Sequence, residues 1–149
     1  MTKKPDNVLN GVIAQMKDTY SDEVIDHTIN TRNFGRMLNW DGIGSATSTC
    51  GETIRIWLKV KDGKVTKASF ETDGCAASIA CGSMATELAI GKDVSSAQKI
   101  KQKNILEALN GLPDYNQELA LIASKAIKGA IHDYLALKRE PWKKAYRKL

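Results

Sequence analysis

Alternating apolar and polar positions mark the clearest element of the chain, over residues 53–60. Because side chains two apart on a strand point to the same face, this alternation predicts a strand with one buried face. The dipeptide Asp62-Gly63 follows and favours a type I′ turn, after which a second strand is predicted over residues 65–72. Together the two strands predict an antiparallel hairpin.

Apolar residues at helical spacing predict α-helices on both sides of this hairpin. Ser21 is the expected N-cap of the second helix, and Gly91 is expected to end the helix that follows the hairpin. The segment over residues 30–49 is rich in glycine and polar residues, which is typical of loop with at most a short edge strand. The predicted helices cover residues 7–17, 21–29, 76–90, 95–100, 104–109 and 116–137.

Strands early in the chain and helices later predict an α+β fold. We expect a small antiparallel β-sheet packed against helices on one face. The 149 residues are enough for one ordinary domain with a core. We assign residues 20–137 to that domain, residues 1–19 to an amphipathic helical extension, and residues 138–149 to a basic tail.

The composition restricts the class of protein. No apolar run approaches the roughly 18 residues that span a membrane, and the start of the chain has no apolar stretch typical of a secretory leader. We therefore expect a cytoplasmic protein that does not bind membranes. In a reducing compartment the three cysteines are expected to serve metal, sulfur or nucleophile chemistry, or plain packing, and not disulfide bonds.

The net charge of +5 is concentrated in the tail, where residues 138–149 hold six basic residues and one acidic residue. The rest of the chain is close to neutral. Because duplex binding needs a distributed basic face, we expect no nucleic-acid partner. The tail is expected to be solvated or docked on its own domain, with docking to a partner as the alternative.

Two cysteines flank the predicted hairpin. Cys50 lies just before its first strand, and Cys75 lies just after its second, at the start of a helix, where a thiolate is favoured. Since antiparallel pairing places these strand ends side by side, we expect the two thiols to be neighbours. Glu52, two residues after Cys50, faces the same side of an extended chain. Two thiolates and a carboxylate indicate a candidate metal site, with buried inert cysteines as the alternative.

Cys81 fits such a site less well. It lies six residues after Cys75, which on a helix means about 9 Å of rise and about 240° of rotation. From this geometry we expect Cys81 to be a packed small residue, with a reserve or sulfur-carrying thiol as the alternative. His27 and His132 are distant from the cysteines in sequence and are predicted to lie on a helix surface or at a cap.

Several blocks of residues carry a more specific signal because they occur in a fixed order between Tyr20 and about Tyr134. These blocks are Tyr20-Ser21-Asp22-Glu23-Val24-Ile25-Asp26-His27, Arg32-Asn33-Phe34-Gly35, Thr49-Cys50-Gly51-Glu52, Phe70-Glu71-Thr72-Asp73-Gly74-Cys75-Ala76-Ala77-Ser78-Ile79-Ala80, Ser83-Met84-Ala85-Thr86-Glu87-Leu88, Gly91-Lys92 and Ala126-Ile127-Lys128-Gly129-Ala130-Ile131-His132-Asp133-Tyr134. Through them the chain resembles the iron–sulfur cluster assembly scaffold family, which includes the IscU proteins, the N-terminal domain of NifU and the zinc-binding SufU branch.

The resemblance implies a scaffold or carrier protein and not an enzyme. In this family sulfur from a cysteine desulfurase and iron are built into a [2Fe–2S] cluster, which is then passed to recipient proteins. The family site has three cysteines and a nearby carboxylate. Cys50 and Cys75 match the first two cysteines, and Glu52 stands where the family usually has an aspartate that keeps the cluster labile.

Two departures from the family pattern concern the rest of the site. The family's His-Cys pair falls on Glu118 and Leu119, and leucine neither accepts sulfur nor binds iron. The resemblance therefore leaves Cys81 or the Glu118 carboxylate as the fourth ligand beside Cys50, Glu52 and Cys75. Residues 112–116 also depart from the family's Leu-Pro-Pro-Val-Lys sequence, so a dedicated chaperone partner is not supported.

Three functions remain open from the sequence. The favoured one is an iron–sulfur scaffold that holds its cluster weakly through mixed thiolate and carboxylate ligands. The second is a zinc-binding sulfur acceptor of the SufU type, acting as partner of a cysteine desulfurase. The third is an interaction module that keeps the fold with a degraded site. A homodimer that shares a cluster is a further hypothesis, with the N-terminal helix as its contact.

Overall fold

The computed structural model describes the backbone of residues 3–146, and the side chains of residues 10–146 apart from those of Lys144 and Tyr146. Three strands and six α-helices form this part of the chain. Short 3₁₀ helices precede and follow the last α-helix, at Asp114–Asn116 and Pro141–Tyr146. In chain order the elements are α1 (Lys3–Lys17), α2 (Asp22–Ile29), β1 (Gly42–Thr47), β2 (Thr53–Lys61), β3 (Lys64–Thr72), α3 (Ala76–Ala89), α4 (Val94–Ala97), α5 (Gln102–Ala108) and α6 (Gln117–Arg139).

The strands form one antiparallel sheet in the order β1-β2-β3. Ile56 at the centre of β2 is opposite Gly44 on β1 and Phe70 on β3. The predicted hairpin is confirmed, and its turn has positive φ at both central residues, 52° at Asp62 and 76° at Gly63, as a type I′ turn requires. β1 is the short edge strand that the sequence allowed within residues 30–49.

One face of the sheet packs against helices, which confirms the predicted α+β architecture. Along β2, the alternate side chains of Ile54, Ile56 and Leu58 have no exposed surface. They meet α6, which packs mainly on β1 and β2, and α3, which packs mainly on β3. At about 25 cal/mol per Å² of apolar surface removed from water, each of these side chains contributes about 2 kcal/mol to the core.

Two glycines allow α6 to approach β1 closely. A Cβ at Gly42 would lie 2.3 Å from the Ala130 carbonyl oxygen, and one at Gly44 would lie 2.2 Å from the Ala126 carbonyl oxygen. The Asp133 carboxylate of α6 then accepts a hydrogen bond from the Ile43 amide, at 3.0 Å. The close contact places the first turn of α6 near the end of the sheet where β2 begins.

α2, α3, α5 and α6 begin and end within two residues of their predicted bounds, whereas α1 begins four residues earlier than predicted and α4 ends three residues earlier. Ser21 is the N-cap of α2 and its hydroxyl accepts from the Val24 amide at 3.1 Å, as predicted. α6 extends two residues beyond the predicted end, so Lys138 and Arg139 belong to its last turn. The tail continues as a 3₁₀ helix to Tyr146, and Leu149 lies outside the described residues. Between residues 3 and 146, no helix is both long and apolar enough to cross a membrane.

His27 is buried, and its prediction as a surface or capping residue is wrong. Its side chain lies between α2 and α3, where Nδ1 is 2.7 Å from the Ser83 hydroxyl and Nε2 is 3.2 Å from Glu87 Oε2. The Ser83 hydroxyl also accepts from the Arg32 amide at 2.9 Å. Helical spacing could not reveal this, because a histidine on a helix is compatible with either environment. His132 is exposed on α6, as predicted.

The buried His27 predicts that stability falls in mild acid. Burial lowers the pKa of His27 below its usual 6.5, the nearby Arg32 adds to this, and Glu87 and Asp26 oppose it. The unfolded chain therefore takes up the proton first, so the free energy of unfolding is expected to decrease as the pH falls below about 6.5. Urea denaturation between pH 5 and 8 measures it, and His27→Gln is expected to flatten this region of the profile. An unchanged profile in His27→Gln, or the same flattening in the exposed control His132→Gln, would contradict this assignment.

Candidate functional site

All of the predicted site residues except Cys81 are grouped around the end of the sheet where β2 begins and β3 ends. Ile54 is opposite Thr72, so the β1–β2 turn and the β3–α3 junction lie side by side. Two hydrogen bonds join them: the Thr53 amide donates to Asp73 Oδ1 at 2.8 Å, and the Thr72 hydroxyl donates to the Thr53 carbonyl at 2.7 Å. The juxtaposition follows from hairpin pairing alone, which is why the sequence predicted it.

Cys50 is exposed in the tight turn between β1 and β2. The Gly51 amide donates to the Ser48 carbonyl at 3.0 Å, and Gly51 has a φ of 91°, which glycine adopts without strain. The buried Ser48 completes the turn, since its hydroxyl accepts from the Glu52 amide at 3.1 Å and its own amide donates to the Glu52 carbonyl at 2.7 Å. These hydrogen bonds hold the turn in a defined conformation, in which Cys50 is exposed to solvent.

Cys75 is exposed at the N-cap of α3. Its carbonyl accepts hydrogen bonds from the Ser78 amide at 3.0 Å and the Ser78 hydroxyl at 2.6 Å, which fixes the backbone that carries the thiol. The Cys75 sulfur lies 4.0 Å from Glu52 Oε2, where its thiol donates to the carboxylate. Cys75 and Glu52 therefore lie side by side at the start of α3.

Gly74 keeps the Cys75 junction close to Glu52. A Cβ at Gly74 would lie 2.4 Å from the Ser78 hydroxyl oxygen and 3.0 Å from Glu52 Oε2. The glycine amide donates to the Thr72 hydroxyl at 3.1 Å. A side chain at position 74 would crowd the Ser78 hydroxyl and the Glu52 carboxylate. Gly74 is therefore part of the site as well as a residue of the junction that follows β3.

Glu118 reaches the Cys50 turn from the first turn of α6. Its carboxylate accepts from the Thr49 amide, at 3.2 Å to Oε1 and 3.1 Å to Oε2, and from the Thr49 hydroxyl at 2.7 Å. Sequence analysis placed Glu118 at the site through the resemblance but missed the role of Thr49. A threonine in a turn carries no signal for a partner 69 residues away.

Tyr20 is a second residue that the sequence did not assign to the site. Its hydroxyl accepts from the side-chain amide of the buried Asn116 at 3.1 Å. Burial raises the pKa of Tyr20, the Asn116 hydrogen bond opposes this, and the charges of Cys75 and Glu52 raise it further. The phenol is therefore protonated and lies in the electrostatic field of the two predicted ligands. Tyr20 opens the first block of the resemblance, but its residue type alone indicates packing equally well.

Cys81 lies in the core, as its helical position relative to Cys75 led us to expect. The side chain has no exposed surface and packs within the cluster between the sheet and the helices. Burial raises the pKa of the Cys81 thiol well above its usual range, and the charges of Cys75 and Glu52 add to this. Leu119 is also buried in this core, at 4% exposure. The structure brings neither side chain to the surface where Cys50 and Cys75 lie.

The protein thus has two exposed thiols and two candidate carboxylate ligands, Glu52 and Glu118, at one end of the sheet. In the described part of the chain, no three Cys, His, Asp or Glu side chains are already gathered around one metal position. Glu52 is beside Cys75, whereas Glu118 is engaged with Thr49. Binding of a metal or cluster therefore requires the side chains to adjust around it.

Comparisons with known proteins agree with this fold. Residues 19–141 match the family model described as NifU-like N terminal domain. The chain is similar to iron-sulfur cluster assembly scaffold protein IscU 1 of Archaeoglobus fulgidus, with 44% identity over 77% of this chain and 76% of the relative. It is also similar to the scaffold protein IscU of Escherichia coli K12, with 41% identity over 81% of this chain and 97% of the relative.

A solved structure shows the same fold. The N-terminal NifU-like protein of Brucella abortus superposes with a TM-score of 0.63 and 22% identity, over 81% of this chain and 97% of that one. At this identity the likeness supports the architecture of the sheet and helices. The family model covers the sheet, both cysteine positions and α6, and the IscU relatives share more than two-fifths of the aligned residues. The chain therefore belongs to the family of IscU and NifU N-terminal scaffold proteins.

Proposed function

We propose that this protein is a scaffold on which an iron–sulfur cluster is assembled and from which the cluster passes to recipient proteins. The observation that carries the proposal is the pair of exposed thiols, Cys50 and Cys75, with the Glu52 carboxylate 4.0 Å from the Cys75 sulfur. The arrangement occurs in a chain 44% identical to a protein named as an iron–sulfur scaffold. Like these relatives, the chain acts as a scaffold and not as a catalyst.

The proposed ligands from this chain are Cys50, Glu52 and Cys75. Thiolate sulfurs are the ordinary ligands of iron–sulfur clusters, and a carboxylate oxygen is a weaker ligand for such iron. A mixed set therefore holds a [2Fe–2S] cluster less firmly than four cysteines would, which suits a protein that must release it. Burial argues against Cys81 as a further ligand. The remaining position is open to a donor from another molecule, such as a second copy of the chain or a recipient.

The proposed partners follow from the chemistry of the cargo. The proposed source of sulfur is the persulfide of a cysteine desulfurase in a reducing cytoplasmic compartment. Cys50 and Cys75 are the exposed thiols that can receive this sulfur. The thiolate attacks the outer sulfur of the persulfide and the desulfurase cysteine leaves as a thiolate, after which an external thiol reductant supplies the two electrons that convert the transferred sulfur to sulfide. Iron–sulfur proteins without their clusters are the proposed recipients.

Zinc is the second candidate cargo, because thiolate and carboxylate are also zinc ligands. The observation that favours it is Leu119, which stands in the core where the resemblance expects a third cysteine. In that case the protein accepts sulfur from the desulfurase without building a cluster.

Anaerobic reconstitution tests the proposal against this alternative. The protein is incubated with ferrous iron, cysteine, a cysteine desulfurase and a dithiol reductant that supplies the electrons for sulfide formation, and its visible spectrum and acid-labile sulfide are followed. A scaffold is expected to develop the absorption of a [2Fe–2S] cluster and then lose it to an added apo-ferredoxin. Faster desulfurase turnover without a chromophore would favour the zinc-binding acceptor, and no effect of either kind would refute both.

A further inference from the structure

The Glu118 carboxylate lies beside the Cys50 turn and already accepts hydrogen bonds from Thr49. Both of its oxygens accept from the Thr49 amide, at 3.1 and 3.2 Å, and one also accepts from the Thr49 hydroxyl at 2.7 Å. We propose that Glu118 is a positioning residue that holds the Cys50 turn against α6 and is not a ligand of the cluster. This inference rests on the proposed function, because it assigns a role within the same site.

The Cys50 turn has two kinds of hydrogen bond. Those between Ser48, Gly51 and Glu52 close the turn on itself and determine its shape. The Thr49–Glu118 contacts instead join the turn to a helix 69 residues later in the sequence. Hydrogen bonds within the turn do not determine how the turn is oriented relative to the sheet. A contact between the turn and a packed helix does. The Glu118 contact therefore determines where the turn places Cys50 relative to the rest of the domain.

The two thiols are consequently positioned by different means. Cys75 is fixed by its place at the N-cap of α3, where its carbonyl accepts from Ser78. Cys50 depends on the tether between Thr49 and Glu118. A metal or cluster that binds both sulfurs needs a particular spacing between them, since ligand geometry controls affinity. Glu118 thus acts on the site through the position of Cys50.

The surroundings of Glu118 oppose a second role as ligand. Its carboxylate lies in the first turn of α6, where the helix dipole stabilises its charge in place. A metal ion bound to this carboxylate would compete with the Thr49 amide and hydroxyl for the same oxygens. That competition would loosen the turn that carries Cys50 at the moment when both thiolates have to bind.

Glutamine and alanine at position 118 separate the two roles. In Glu118→Gln the amide oxygen still accepts from Thr49 but binds iron and zinc poorly, whereas Glu118→Ala removes both functions. Cobalt(II) serves as the metal probe, because its absorption reports bound thiolates, and hydrogen exchange of the Thr49 amide reports the tether. Glu107→Ala, which removes an exposed glutamate from α5, is the matched control.

A positioning role predicts that the conservative variant rescues the site. Glu118→Gln is expected to keep cobalt affinity and Thr49 exchange within about threefold of the wild type. Glu118→Ala is expected to weaken cobalt binding and to speed Thr49 exchange, each by about tenfold, while amides in the core of α6 and β2 exchange as before. Thr49→Val, which loses the hydroxyl but keeps the amide, is expected to fall between them.

Two results would overturn the proposal. One is an equal loss of cobalt affinity in Glu118→Gln and Glu118→Ala, which identifies a ligand. The other is unchanged Thr49 exchange in Glu118→Ala, which means that no tether exists. Hydrogen exchange of the Thr49 amide is measured on the metal-free protein. It therefore tests the Thr49–Glu118 contact even if the wild type never assembles a cluster. A failure of the proposed function is therefore distinct from a failure of this inference.

Discussion

Gly44→Ala is expected to destabilise the protein by about 3 kcal/mol or more. The new Cβ would lie 2.2 Å from the Ala126 carbonyl oxygen and 2.4 Å from the Ala130 amide nitrogen. Both atoms belong to the backbone of α6, so no side chain can rotate away and the helix must move from β1. Because α6 carries the tether to the Cys50 turn, the loss extends to the site. Chemical denaturation monitored by circular dichroism measures the change in the free energy of unfolding.

Gly129→Ala is the matched control, because Gly129 lies on α6 across the same contact. A Cβ there would be 3.5 Å from the Gly44 Cα, an ordinary van der Waals distance. Alanine is also favoured over glycine within a helix by about 1 kcal/mol. This variant is expected to be as stable as the wild type or more so. Equal destabilisation by the two variants, or none by Gly44→Ala, would contradict the close packing of β1 on α6.

Cys75→Ser is expected to remove the site's capacity to hold a cluster. A serine hydroxyl is a poor ligand for iron in place of a thiolate, and Cys75 is the thiol in contact with Glu52. After anaerobic reconstitution, iron and acid-labile sulfide are expected to fall to about a tenth of the wild-type content or less. Cys50→Ser is expected to behave alike. Both thiols are exposed at turns, so the free energy of unfolding should change by less than about 0.5 kcal/mol.

Cys81→Ala is expected to lower the stability of the protein and to leave cluster binding unchanged. The thiol is buried in the core, so its loss leaves a small cavity and costs about 1 kcal/mol of stability. The cluster content is expected to stay at the wild-type level. Retention of the cluster in Cys75→Ser, or its loss in a folded Cys81→Ala, would show that the proposed ligands are wrong.

The sequence predicted the elements whose signals are local. Alternation over β2, the Asp62-Gly63 turn and the Ser21 cap each depend on residues close together in the chain, and each is confirmed. Hairpin pairing also brought the turn that carries Cys50 beside the junction that carries Cys75, because strand ends that pair must meet. In these cases the interacting residues lie within about thirty positions of one another, so the local sequence is enough to predict the contact.

The features that the sequence left open or predicted wrongly depend on distant contacts. β1 lacks the apolar alternation of a strand because it packs on α6 through Gly42 and Gly44, which resemble loop residues until the helix is in place. His27 is buried because α3 supplies Ser83 and Glu87. In each case the partner comes from an element far along the chain, and residue type alone does not identify it.

The candidate site also combines features that the sequence predicted with features that depend on distant contacts. The resemblance identified Glu118 as a residue of the site, but its engagement with Thr49 emerges only when α6 meets the β1–β2 turn. The environment of Tyr20 likewise depends on Asn116 and on the charges of Cys75 and Glu52. Spacing in the sequence can identify candidate ligands. Whether a candidate is free to bind a metal depends on its contacts in the folded protein.

The proposed function depends on Cys50 and Cys75 as the binding site of an iron–sulfur cluster. The most direct test is to purify the protein without oxygen and to measure iron, zinc and acid-labile sulfide together with the visible spectrum. We expect iron and sulfide in about equal amounts and the absorption of a [2Fe–2S] cluster. Zinc without sulfide, or a colourless protein with neither metal even after reconstitution with a desulfurase, would contradict the account.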